Sequence, residues 1–269
     1  MITSSNNAKV KQVVQWQTKA KERRKDHVFL AEGIRMCEEA PVKNVREVYL
    51  TEELEQKIRQ NAQNRDTAFW DKLQQTGYET VSTEVFAKMA DTQTPQGILT
   101  VLEQPVYDLT QLLEQPDPLF LMLENLQDPG NLGTMIRTGE GAGITGVIMN
   151  NQTVDIFNPK TIRATMGSIF RVPFVYVPDL ALVLEQMHAK GIYTYAAHLK
   201  GQEYYDSFSF REPTAFLIGN EGNGLSKEIS DQAGQYLKIP MEGRVESLNA
   251  SIAAALLMYE AHRQRSARL

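Results

Sequence analysis

The chain has one cysteine, Cys37, in 269 residues. No internal disulfide can form, and a lone thiol fits a reducing compartment. The four histidines (His27, His188, His198, His262) are scattered without ligand spacing, so no zinc site can be assembled and no metal is expected. No apolar run approaches the roughly 20 residues that cross a bilayer. The N-terminus lacks the apolar stretch of a signal peptide, which makes the cytoplasm the expected location and a membrane partner unexpected. Internal repeats and low-complexity tracts are absent. A dinucleotide fingerprint is missing too: Gly139-x-Gly141-x-Gly143 falls at the end of a predicted helix, not between strand and helix. That argues against an α/β dehydrogenase. The Gly219-Asn220-Glu221-Gly222-Asn223-Gly224 loop follows a strand, but without the Lys-Ser/Thr pair of a P-loop it gives no support to nucleoside triphosphate binding.

What is present is ordinary in bulk and uneven in detail. Apolar and charged fractions of 42% and 23% are those of a globular protein, and the length suits one or two domains. The net charge of −5 conceals a basic N-terminus. Within residues 1–25, Lys9, Lys11, Lys19, Lys21, Arg23, Arg24 and Lys25 face Glu22 alone. Such a cluster can hold phosphates even in an acidic protein, because charge interactions fade over about 8 Å at physiological salt. A solvated helix face would look the same.

Two domains are visible. In residues 1–105, strands are predicted at 47–51 and 97–102, with 52–75 helical between them. The prolines around 105 and 116–118 mark a linker at 106–117. From residue 118 the pattern alternates strand and helix. Leu119-Phe120-Leu121-Met122-Leu123 is a continuous apolar run, as a strand buried on both faces requires. Further strands are predicted at 146–149, 171–177, 193–197, 215–218 and 237–240, with 180–190 helical. The class is α/β: a mostly parallel sheet with helices on both faces, and a smaller N-terminal α/β domain.

Three segments of the second half carry the chemistry. Asp128-Pro129-Gly130-Asn131 is turn chemistry leading into a helix that contains Arg137. The 219–224 loop lets backbone N–H and C=O groups approach a ligand closely, and Glu221 adds one carboxylate. Ser247 and Asn249 both cap helices well, so the C-terminal helix is predicted to begin at one of them. Each segment alone reads equally as a turn or a cap.

Together they are specific. Asn125-Leu126-Gln127-Asp128-Pro129-Gly130-Asn131-Leu132-Gly133-Thr134-Met135-Ile136-Arg137 resembles the first motif of the SpoU (TrmH-like) RNA ribose methyltransferases. Phe216-Leu217-Ile218-Gly219-Asn220-Glu221-Gly222-Asn223-Gly224-Leu225 resembles the second, and Ile239-Pro240-Met241 through Ser247-Leu248-Asn249-Ala250-Ser251 the third. Order and separation fit, and no motif position departs from the pattern. Residues 1–105 are similar to the L30e/L7Ae-like substrate-binding domain, through Phe29-Leu30-Ala31-Glu32-Gly33 and Thr94-Pro95-Gln96-Gly97-Ile98.

The resemblance implies a trefoil-knotted C-terminal domain over 118–269, a homodimer, S-adenosylmethionine as cofactor and methyl transfer to a ribose 2′-OH. It places Gly219, Glu221 and Gly224 beside the cofactor, Ile239, Met241 and Leu248 around its adenine, and His198 at its border. Ser247 and Asn249 are implied both to touch the cofactor and, with Asn131, to orient Arg137 and the ribose, while Glu221 holds that network. Arg137 is the implied activator of the hydroxyl. A guanidinium is a poor proton acceptor, so binding the RNA phosphate and lowering the hydroxyl pKa is the safer role. Large-subunit ribosomal RNA is the expected substrate, with transfer RNA or a non-catalytic RNA-binding knot protein as alternatives.

Overall fold

The structure, a computed structural model, describes residues 1–64 and 67–266. It divides into two compact units: Met1–Pro105 with Phe157–Phe170, and Val106–Ile156 with Arg171–Leu269. No helix among the described residues is long and apolar enough to cross a membrane.

The first unit is built on four strands: β1 (Val28–Glu32), β2 (Val45–Thr51), β3 (Glu79–Val81) and β4 (Ile98–Glu103). Their order is β1-β4-β2-β3, with β4 antiparallel to both neighbours and β3 parallel to β2. Helices cover both faces. Val10, Val13 and Trp16 pack with Leu30, Tyr49 and Val101 on one side, and Leu54, Ile58, Phe69 and Leu73 pack with Leu50 and Ile98 on the other. The alternation of Tyr49 and Leu50 between those faces is the two-residue period of a strand. The expected helix at 52–75 is two helices, Glu52–Asn64 and Ala68–Thr76; Arg65 and Asp66 lie outside the described residues.

Residues 157–170, which strand–helix alternation assigned to the second half, group with this unit. The Phe157 ring stands 4.9 Å from Phe29 and that of Phe170 6.2 Å from it, and Arg163 pairs with Asp91. An aromatic contact of this kind, worth about 1 kcal/mol beyond its burial, has no signature in local periodicity.

The basic segment forms helices Ala8–Thr18 and Ala20–Asp26. Lys9, Lys11, Lys19, Lys21, Arg24 and Lys25 are exposed, Lys9 in an ion pair with Glu79. Arg23 corrects the expectation. It is 3% exposed, and its Nη1 donates to the carbonyls of Trp16 and Gln17 at 2.7 and 3.3 Å. Those carbonyls end the first helix and lack helical partners, so Arg23 closes a helix terminus and presents no charge to a phosphate.

The second unit is a seven-stranded sheet of β5 (Leu119–Leu123), β6 (Gly146–Asn150), β7 (Phe174–Val177), β8 (Tyr193–Ala197), β9 (Glu203–Tyr204), β10 (Thr214–Ile218) and β11 (Gln235–Lys238). The order is β7-β6-β5-β10-β8-β11-β9 and every pairing is parallel. Both faces are covered, as the continuous apolar runs require. Phe120, Met122, Ala215 and Leu217 pack with helix Leu180–Ala189 and with Ile229. On the opposite face, helix Ala250–Ser266 packs against β10 and against helix Pro129–Ala142.

The 106–117 stretch is not a bare linker. It contains helix Leu109–Leu113, capped by Asp108, with Leu112 and Leu113 buried. Gly139 and Gly141 serve packing and Gly143 ends the helix, in line with their predicted place at a helix end. A Cβ on Gly139 would meet Ile144 Cδ1 at 2.3 Å and one on Gly141 would meet Tyr259 Oη at 2.8 Å, while Gly143 ends the helix at φ +75°.

Arg23→Ala should destabilise the protein by about 2 kcal/mol, the scale of charged hydrogen bonds lost from a buried site, whereas Lys21→Ala should change stability by less than about 0.5 kcal/mol. Urea unfolding of the two variants checks this; equal stabilities would return Arg23 to the exposed cluster.

Candidate active site

The carboxyl ends of β8, β10 and β11 open into a cavity of about 270 Å³, at the sheet edge where open α/β folds place ligands. Of the residues singled out from sequence, His198, Gly219, Glu221, Gly224, Ile239, Met241, Ser247 and Leu248 line it. Asn249, Asn131 and Arg137 do not. Sequence reasoning missed Leu199, Asn220, Lys238 and Glu246, which also line it. Leu199 directly follows His198, so position after a strand was the available signal.

The 219–224 loop closes on itself. Asn220 and Gly224 exchange backbone hydrogen bonds of 3.0 and 2.9 Å. Asn220 Oδ1 accepts from the N–H groups of Gly222 and Asn223 at 2.9 and 3.0 Å. Gly224 sits at φ +68°, and a Cβ on Gly219 would stand 2.0 Å from the Gly224 carbonyl carbon. Only glycine allows that approach.

Glu221 ties the loop to the first motif. Its carboxylate accepts from the N–H of Gln127 at 3.0 Å, of Asp128 at 2.9 Å and from Asn131 Nδ2 at 3.1 Å. Partial burial pushes its pKa up, but the donors from Asp128, Gln127 and Asn131 outweigh that and hold it below the usual carboxylate range. Asn131 Oδ1 in turn accepts from Asn249 Nδ2 at 3.0 Å. Asn249 is the cap of the C-terminal helix: its Oδ1 accepts from the N–H of Ser251 at 2.8 Å. Ser247 is exposed and makes no hydrogen bond among the described residues. One chain of contacts, Glu221–Asn131–Asn249, thus joins all three segments.

Arg137 is exposed, with no hydrogen bond or ion pair among the described residues. Six residues along an α-helix is about 9 Å of rise and about 240° of rotation, so it leaves the helix away from Asn131. The structure brings Glu221, Asn131 and Asn249 together and leaves Arg137 open to an outside partner.

His198 walls the cavity. Its ring stacks on Tyr236 at 4.8 Å and 16°, and Nδ1 accepts from the N–H of Lys200 at 3.0 Å. Burial, and then the Lys200 charge, lower its pKa against the opposing pull of Asp231. The neutral ring is the form that accepts at Nδ1.

Gly219→Ala should weaken S-adenosylmethionine binding, the ligand implied by the resemblance, by at least about tenfold in titration calorimetry, since the methyl cannot coexist with the loop's backbone. Unchanged affinity would mean that the loop does not form the ligand cradle. The lowered pKa of His198 sets a pH dependence. What the neutral ring contributes is complete above the ordinary histidine pKa of about 6.5 and is lost as pH falls through the lower folded value. Affinity should be flat above the ordinary histidine value of about 6.5 and decline only as pH falls through the lowered value of the folded protein, and His198→Asn, which retains an acceptor, should flatten the decline.

Residues 118–259 match the SpoU rRNA Methylase family, and residues 7–100 match the MRM3-like substrate binding domain. The 23S rRNA (guanosine(2553)-2′-O)-methyltransferase RlmP of Bacillus subtilis (strain 168) is 34% identical over 263 residues, 96% of this chain and 97% of its own length. The AdoMet-bound rRNA methyltransferase of Sinorhizobium meliloti has a TM-score of 0.84 at 30% identity, with 97% of each chain covered. The SpoU methyltransferase AviRb of Streptomyces viridochromogenes, in complex with the cofactor AdoMet, has a TM-score of 0.82 at 28% identity, covering 97% of this chain and 99% of its own. With its three motif segments joined by one chain of hydrogen bonds beside the cavity and a relative matched along nearly its whole length, the chain belongs to the SpoU rRNA methylase family.

Proposed function

We propose that the chain transfers the methyl group of S-adenosylmethionine to a ribose 2′-hydroxyl of large-subunit ribosomal RNA. The observation that carries this reading is the Glu221–Asn131–Asn249 chain of hydrogen bonds, which ties the first motif segment to the two that line the cavity. The fit of the cavity to the cofactor rests on its own residues. A glycine cradle that a Cβ would fill, apolar cover from Leu199, Ile239, Met241 and Leu248, and polar groups at Ser247 and Glu246 suit a ligand with a flat apolar ring and a zwitterionic end. S-adenosylmethionine supplies an electrophilic methyl when bound.

The protein's part is alignment and charge. Asn131 lies in the first turn of helix Pro129–Ala142 and Asn249 caps helix Ala250–Ser266, whose first turn lines the cavity, and Glu221 holds Asn131 in place. A ribose hydroxyl is a weak nucleophile, so alignment and proton loss limit the step. Arg137, open to solvent, binds an RNA phosphate and lowers the pKa of the neighbouring hydroxyl through its charge. The proton then passes to water.

Residues 1–105 are read as the substrate-binding domain, with the exposed lysines and Arg24 of the first two helices gripping phosphates. The relative from Bacillus subtilis, named for 23S rRNA, supports ribosomal RNA as the substrate. A homodimer and a trefoil knot in the C-terminal unit belong to the same reading. Ile252 and Tyr259, half exposed on helix Ala250–Ser266, form the apolar pair that a second copy would cover.

Arg137→Ala should lower methyl transfer to ribosomal RNA by at least about 100-fold while leaving cofactor affinity unchanged; labelled-methyl transfer and calorimetry separate the two, and near-normal turnover would remove Arg137 from the mechanism. Replacing Lys19, Lys21 and Lys25 by glutamate should weaken RNA binding and lower the slope of log affinity against log salt by about 1 per lysine that meets a phosphate. An unchanged slope would move the RNA grip elsewhere.

A further inference from the structure

Three asparagines stand in line across the carboxyl ends of adjacent strands, and only the last reaches the cavity. Asn150 ends β6, Asn125 follows β5 and Asn220 follows β10. Asn150 is 8% exposed and pairs reciprocally with Asn125: its Oδ1 accepts from the Asn125 N–H at 3.0 Å and its Nδ2 donates to Asn125 Oδ1 at 2.9 Å. The Thr153 hydroxyl, itself buried, donates to Asn150 Oδ1 at 2.9 Å. Two donors therefore meet that oxygen, which fixes which way the amide points.

Asn125 is held at φ +55°, a left-handed conformation that residues other than glycine seldom adopt. This conformation aims its carbonyl, which accepts from Asn220 Nδ2 at 2.9 Å and from Gln127 Nε2 at 3.0 Å. The same Asn220 side chain presents its oxygen to the N–H groups of Gly222 and Asn223. The order of dependence is thus Thr153, Asn150, Asn125, Asn220, then the loop that lines the cavity. Free of its amide partner, Asn125 can relax to a common backbone conformation, turning its carbonyl away and leaving Asn220 Nδ2 without its acceptor.

We propose that Asn150 is a positioning residue for the 219–224 loop: it acts through Asn125 and Asn220, with Thr153 setting its orientation, and touches no ligand itself. The inference rests on the reading of the cavity as the S-adenosylmethionine site. A carboxylate at position 150 would also serve, accepting from the Asn125 N–H, from Thr153 and from a flipped Asn125 amide. An apolar side chain of similar size would not.

The test is calorimetric titration of S-adenosylmethionine into full-length wild type, Asn150→Leu, Asn150→Asp and Thr153→Val, well below the melting temperature of each. Asn150→Leu should bind about tenfold more weakly, Thr153→Val about threefold, and Asn150→Asp within about twofold of wild type. In methyl-transfer assays the loss should fall on KM for the cofactor, with kcat retained at saturation. Equal affinity in folded Asn150→Leu, or equal loss in the leucine and aspartate variants, would overturn the proposal, since a packing role alone gives no rescue by the carboxylate. Should Asn150→Leu not fold, Thr153→Val decides: wild-type affinity there overturns the proposal. If wild type itself fails to bind S-adenosylmethionine, the reading of the cavity falls and the inference with it.

Discussion

The site depends on the carboxylate of Glu221, which finds its partners outside its own loop. It accepts from two backbone N–H groups at the start of helix Pro129–Ala142 and from Asn131 Nδ2. Those N–H groups belong to a helix terminus, where donors have no intrahelical acceptor and the dipole is positive. A charge placed there satisfies the donors and pins the loop at once. Asn131, held on one side by Glu221, passes the restraint to Asn249 and so to the C-terminal helix. Loss of the carboxylate would free two segments together.

Strand order makes this network possible. β10 lies between β5 and β8, so the loop after β10 emerges beside the first-motif segment that follows β5, although about ninety residues separate them in the chain. Buried aromatic and aliphatic side chains fix β10 there, with Phe216 against Phe210 and Tyr195 on one face and Leu217 in the main core on the other. The polar contacts at the strand ends, Asn150–Asn125 and Asn125–Asn220, then work between strands whose spacing is already set. Preorganisation of this kind lets a loop rich in glycine hold one shape, since its own residues would give it many.

Much of the architecture was legible because period and length report burial. The run 119–123 reads as a fully buried strand, and the structure buries all five residues. Strand boundaries drifted by one to three residues, as at Phe174, where strand pairing and not propensity decides the end. Charge was less informative. Arg23 and Arg24 are neighbours with the same formal charge, yet a helix turns one toward the carbonyls of Trp16 and Gln17 and the other to water. Ser247 and Asn249 were equal candidates for the cap; contact with Asn131 favours the longer amide, which can accept at its oxygen from the helix and donate from its nitrogen.

By itself the sequence determined the α/β class and the mostly parallel sheet, because alternation and apolar runs are local properties of the chain, and its resemblance to the SpoU family picked out the three segments that share one chemistry. The tertiary structure alone decided that Glu221, Asn131 and Asn249 touch, that Arg137 does not join them within the chain, and that residues 157–170 pack with the N-terminal unit. Those facts depend on strand order and on aromatic packing between distant positions, which no local pattern encodes.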